Sequence, residues 1–181
     1  HQPAAWYVPS DLAADDVPSV LQGKELSFTN LLDVDAACRI ATEFPEPAAV
    51  VIKHTNPCGV ATGESLAEAY VRARDAVALS ALGGIGGCNR EIDDATARAI
   101  ASTFIEAVIA PAITEQALAI LAAKKNLRVV VAPVAFGVRA GASQGLGALG
   151  LRTALGGVLA QVQDRVTEAR EIRITSIDHG T

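Results

Sequence analysis

The chain has 181 residues, half of them hydrophobic, a net charge of −5 and a positive mean hydropathy. That is enough for one domain, or one with an appendage, and for a sizeable core built from Ala, Val, Leu and Ile, since aromatics are 4% and Met is absent. An acidic balance without a Lys/Arg cluster argues against nucleic acid as a main partner, and no apolar run reaches the roughly 18 residues of a membrane span.

Cys38, Cys58 and Cys88 are an odd number without close pairing, which fits a reducing cytoplasm better than secretion. The opening His1-Gln2-Pro3 has neither an initiator Met nor a basic leader and reads as part of something longer. Residues 1–22 form a leading extended segment, with Trp6 and Tyr7 as expected anchors. Residues 23–30 follow as an ordered loop. A helix is predicted over 31–43, with Leu32, Ala36, Ala37 and Ile40 on one face and Pro45 and Pro47 ending it.

The stretch Val50-Val51-Ile52-Lys53-His54-Thr55-Asn56-Pro57-Cys58-Gly59 changes character abruptly. A β-branched strand over 48–52 gives way to a cation, an imidazole and a breaker, and a loop runs on to residue 63. Ser65 caps a second predicted helix over 66–78, with Glu68 and Arg72 one turn apart. Four glycines crowd residues 80–87, where a backbone can come close to a ligand or to another backbone. Asp93 or Asp94 starts a helix to about residue 104, and a strand is predicted over 106–110. Thr114 caps a helix over 115–124, and a last strand covers 127–132. The alternation predicts an α/β fold, a three-layer α/β/α domain over 23–132. Residues 133–181 form a glycine-rich segment, with an edge strand or hairpin arm near 155–163 and a tail.

Lys53-His54 is the sharpest chemical candidate. Imidazole titrates near neutral pH and can take a proton, while an adjacent ammonium can stabilise developing negative charge. Both reach one ligand only if the strand ends at or before Lys53, because side chains alternate along a strand. The plain alternative is a lysine at a strand exit beside a loop histidine. Gly83–Gly87 could cradle a phosphate or ribose through backbone N–H groups, yet it matches neither a P-loop nor a dinucleotide fingerprint, and a plain loop is the competing reading. Glu106 could bind a hydroxyl or amine, or simply face water. No metal site is predicted. His54 with Pro57-Cys58 echoes a zinc deaminase, but Asn56 and Ala61 stand where that signature needs Glu and a second Cys.

At these residues the chain closely resembles the formyltransferase part of the AICAR transformylase/IMP cyclohydrolase family. The resemblance rests on Gly23-Lys24-Glu25-Leu26-Ser27-Phe28, on Lys53-His54-Thr55-Asn56-Pro57-Cys58-Gly59-Val60-Ala61 and on Ser80-Ala81-Leu82-Gly83-Gly84-Ile85. Asn89-Arg90, Val108-Ile109-Ala110-Pro111, Lys124-Lys125-Asn126-Leu127-Arg128-Val129 and Gly156-Gly157-Val158-Leu159 follow in family order. It implies a cytidine-deaminase-like fold, one half of a duplicated transformylase domain, and formyl transfer from the cosubstrate 10-formyltetrahydrofolate to the 5-amino group of AICAR. By the same resemblance His54 is the proton acceptor and Lys53 the transition-state stabiliser. Gly83 and Glu106 contact the nucleotide, and Asn56 in the same motif joins them on the substrate. A cytoplasmic homodimer without metal is expected, and little turnover from this segment alone. The alternative is a non-catalytic nucleotide-binding or assembly module that keeps the fold.

Overall fold

A computed structural model of the chain describes residues 5–7, 17–76, 83–133 and 149–162. The expected end of the second helix, Leu82, the glycine-rich stretch after Pro133 and the tail fall wholly or largely outside them. Residues 1–144 and 145–181 are two separate units.

The first unit is built on a six-stranded mixed sheet. Its strands are β1 (Ser19–Gln22), β2 (Ala48–Lys53), β3 (Asn56–Thr62), β4 (Ile85–Cys88), β5 (Ala107–Ala110) and β6 (Arg128–Val131). They lie in the order β1-β6-β5-β4-β2-β3. β4, β5 and β6 are parallel, whereas β2 runs antiparallel to β3 and β4, and β1 antiparallel to β6. The helices are α1 (Phe28–Ala41), α2 (Leu66–Asp75), α3 (Asp94–Ala101) and α4 (Glu115–Leu121). α1 packs on Val50, Ile52, Ile85, Ala107 and Ile109, while α2, α3 and α4 pack on Val51, Val108 and Val129. The fold is therefore α/β, with a mixed sheet and helices on both faces. Among the described residues no helix is long and apolar enough to cross a membrane.

Local chemistry explains each helix start. Ser65, Asp93 and Thr114 each accept the backbone N–H three residues on. α1 begins three residues before its expected start because Ser27 and Asn30 form a reciprocal capping box: Ser27 Oγ accepts from Asn30 N and Asn30 Oδ1 from Ser27 N, both at 3.2 Å. Its buried face is Val34, Ala37, Cys38 and Ala41, and Leu32 turns out to solvent at 44% exposure. Glu68 and Arg72 pair at 3.5 Å as their spacing suggests.

Three strands of this sheet escape the sequence reading. β1, drawn from the leading segment, forms one edge of the sheet. β3 occupies the expected loop: Pro57 is tolerated because β3 is the other edge strand and the register slips between Val51 and Ile52. β4 is the glycine run itself. Asn89 just beyond it accepts from Ala48 N at 2.7 Å and donates to the carbonyls of Phe44 (2.9 Å) and Glu46 (2.8 Å), fixing where β2 enters. Trp6 is half-exposed beside a cavity, whereas Tyr7 is 88% exposed.

The second unit contains an antiparallel hairpin, β7 (Leu149–Ala154) with β8 (Gly157–Val162). Leu155 and Gly156 turn it at positive φ, 50° and 79°. The expected hairpin arm is β8.

All three thiols are unpaired. Burial pushes the Cys88 thiol up to about 12; burial likewise raises the Tyr70 phenol to about 12, against the opposing effect of its hydrogen bond with Thr103. Both groups hold their proton more tightly folded than unfolded. Their stabilisation is whole below the unfolded thiol range, about pH 9, and is lost as pH climbs toward 12. The unfolding free energy from urea titrations should stay flat to about pH 8.5 and then fall, by up to about 1.4 kcal/mol per pH unit for each group. Burial, with a smaller push from Asp35, also raises the Cys38 thiol, so Cys88→Ala should remove only about half of the early part of that fall.

Candidate functional site

One edge of the first sheet gathers the residues singled out above. Ile52, Ile85, Ala107 and Arg128 lie in one row across β2, β4, β5 and β6. One residue further out come Lys53, Gly84 and Glu106. Two strand spacings, roughly 10 Å, separate the Lys53 and Glu106 positions. This is the carboxyl end of β2 but the amino end of the parallel strands β4–β6, so the usual expectation for α/β sheets, a ligand at the carboxyl ends, holds only for β2. α1 begins at this edge, because its first turn reaches Glu106.

Lys53 is the last residue of β2 and is half-buried; His54 is exposed. The chain does not turn at Asn56-Pro57. It turns at His54 and Thr55, whose φ values are 56° and 62°, and Asn56 already pairs with Lys53 as the first residue of β3. Left-handed backbone at both central positions is the two-residue hairpin turn that matches strand twist, a place for Asn-Gly rather than His-Thr. A β-branched residue there costs about 1–3 kcal/mol. Hydrogen bonds hold it: Thr55 Oγ1 donates to His54 O at 2.7 Å, Asn56 Nδ2 donates to the same carbonyl at 2.8 Å, and Thr55 N donates to Asp33 Oδ1 at 2.6 Å. β2 thus ends at Lys53 and the turn begins at His54, the condition set above for one ligand to meet both side chains.

Gly83 and Glu106 form the second part. Gly83 has φ 79°, donates its N–H to Phe104 O at 3.0 Å, and stands where a Cβ would be 3.8 Å from Glu106 Oε1. Glu106 N donates to Gly84 O at 2.9 Å. Its carboxylate accepts from Asn30 Nδ2 at 3.2 Å. Asn30 and Asp33 were missed in the sequence. Their one signal was position in the first turns of a capped helix, and nothing local tells which strand ends that helix meets.

Among the described residues no group of His, Cys, Asp or Glu could hold a metal ion. A cavity of about 570 Å³ lies between β1, β6 and α1, bounded by Trp6, Val20, Lys24, Val34 and Val130. None of Lys53, His54, Asn56, Gly83 or Glu106 lines it.

The family described as AICARFT/IMPCHase bienzyme matches residues 1–179. A bifunctional purine biosynthesis protein PurH from Sorangium cellulosum is 55% identical over 134 residues, 72% of this chain and 26% of its own length. PurH of Myxococcus xanthus is 46% identical over 182 residues, 97% of this chain and 35% of its own. PurH of Listeria monocytogenes serotype 4b is 43% identical over 170 residues, 93% of this chain and 32% of its own. The chain thus spans about a third or less of these curated relatives. Among solved structures, Acinetobacter baumannii RibD, form 1, aligns at a TM-score of 0.45 with 16% identity, covering 59% of this chain and 38% of that one, too distant to carry an argument.

Proposed function

The chain belongs to the AICARFT/IMPCHase bienzyme family, which gives it a role in purine biosynthesis, and from that premise we propose that it carries the proton-transfer and charge-stabilising groups of the formyl transfer. The observation that supports this reading is that β2 ends at Lys53 and the turn at His54-Thr55 follows at once, on the sheet edge that also holds Gly83 and Glu106.

In this reading the 5-amino group of AICAR attacks the formyl carbon of 10-formyltetrahydrofolate. The amine is a weak nucleophile, conjugated into its imidazole, so its proton must leave as the C–N bond forms. His54 takes that proton. Lys53 stabilises the oxyanion of the tetrahedral intermediate and favours departure of the folate nitrogen, which takes the proton that His54 accepted as its bond to the formyl carbon breaks. Gly83 lets the backbone approach the nucleotide, Glu106 accepts from a hydroxyl or amine, and Asn56 serves the substrate at the base of the turn. Formyl transfer needs no metal. The proposal extends to a cytidine-deaminase-like half of a duplicated domain, working in a cytoplasmic homodimer on small molecules, without nucleic acid or membrane.

Tetrahydrofolate release, followed by absorbance, tests it in a chimera where residues 1–179 replace the matching segment of the Myxococcus xanthus relative. Formyl transfer dependent on AICAR is the expected result. Calorimetric binding of AICAR with no turnover would instead favour a nucleotide-binding module that keeps only the fold.

A further inference from the structure

The hairpin turn that carries His54 uses hydrogen bonds of two origins. Two are internal to the hairpin, from Thr55 Oγ1 and Asn56 Nδ2 to the His54 carbonyl. The third comes from another element: Asp33 of α1, half-buried, accepts the Thr55 N–H at 2.6 Å. That N–H belongs to a central turn position and takes no part in the strand ladder, so a carboxylate there makes a charge-assisted bond with nothing in the hairpin to compete for it. Three residues earlier on the same helix face, Asn30 donates to Glu106 at 3.2 Å. A single helix face therefore indexes both parts of the site.

Resting on the formyl-transfer reading above, we propose that Asp33 is a positioning residue: by holding the Thr55 amide it keeps the left-handed turn that sets His54 against the substrate. The alternative is that Asp33 only adds stability to a surface turn.

Asp33→Ala and Asp33→Asn separate these, the second keeping an oxygen acceptor. In the 181-residue chain, NMR-detected exchange of the Thr55 amide should quicken about tenfold or more in Asp33→Ala and less than about threefold in Asp33→Asn. In the chimera, Asp33→Ala should lower kcat about tenfold or more with KM within about threefold, and Asp33→Asn should restore most of the loss. Unchanged Thr55 exchange overturns the proposal. So does faster exchange with parental kcat, which leaves a stabilising contact only. Should His54→Ala keep full activity while Thr55 exchange responds, the formyl-transfer reading fails, and Asp33 is left holding a turn with no catalytic task. An inactive parental chimera overturns the positioning role together with the formyl-transfer reading it rests on, whatever the exchange shows.

Discussion

Replacing His54 by alanine is expected to lower formyl transfer in the chimera by about 10²–10⁴-fold, the range that a positioned general base supplies. Lys53→Ala should cost a comparable factor, because it removes the charge that meets the oxyanion as the intermediate forms. The loss should fall on kcat more than on KM, since both groups act on charge that exists only after the amine has attacked. The two losses should not add. Once the proton has no acceptor, stabilising the oxyanion recovers little, so the double variant should sit close to the worse single one. Tetrahydrofolate release under saturating AICAR reads all three. Variants within about threefold of the parent would return Lys53 and His54 to an ordinary strand exit.

How far the residues betrayed this arrangement depends on how local each cause is. β2, β5 and β6 were legible because Val50-Val51-Ile52, Val108-Ile109 and Val129-Val130-Val131 are apolar runs bounded by breakers. The starts of α2, α3 and α4 were legible because a capping side chain acts within its own turn, whereas the Ser27-Asn30 box that starts α1 lay in an expected loop. β3 and β4 were not, for opposite reasons. Asn56-Pro57 looks like an end, and only its place at the sheet edge, beside a register slip, lets it begin a strand. Ile85-Gly86-Gly87-Cys88 looks like a loop because its glycines answer to helices distant in sequence. The site divides the same way. Lys53-His54 is a local event that the sequence displays. The approach of Gly83 to Glu106, and the two bonds from Asn30 and Asp33, depend on sheet order and helix placement that no short window contains.

Gly87 links that nonlocal geometry to stability. A Cβ built there would lie 2.8 Å from Val50 Cγ2 and 2.9 Å from both Cβ and the carbonyl oxygen of Ala37. None of these can swing aside: one is a β-branched methyl in β2, the others the backbone and first side-chain atom of α1. Gly87→Ala is therefore expected to push α1 off the sheet at a cost of about 3 kcal/mol or more, at or beyond the usual range for overpacking. Gly86→Ala is the matched control. Its Cβ would enter the other face, 3.4 Å from Ile105 Cδ1 and 3.5 Å from Tyr70 Cε2, and its effect should stay within about 1 kcal/mol. Urea unfolding of the two variants tests the contrast, and equal midpoints would mean that α1 does not sit this close. The displacement should also reach the site. α1 carries Asn30 and Asp33, whose bonds to Glu106 and Thr55 are 3.2 and 2.6 Å, so a shift of about 1 Å stretches both past useful length. Chimeric enzyme bearing Gly87→Ala should thus lose kcat even at temperatures where it remains folded, as misplaced catalytic groups do, while Gly86→Ala keeps it.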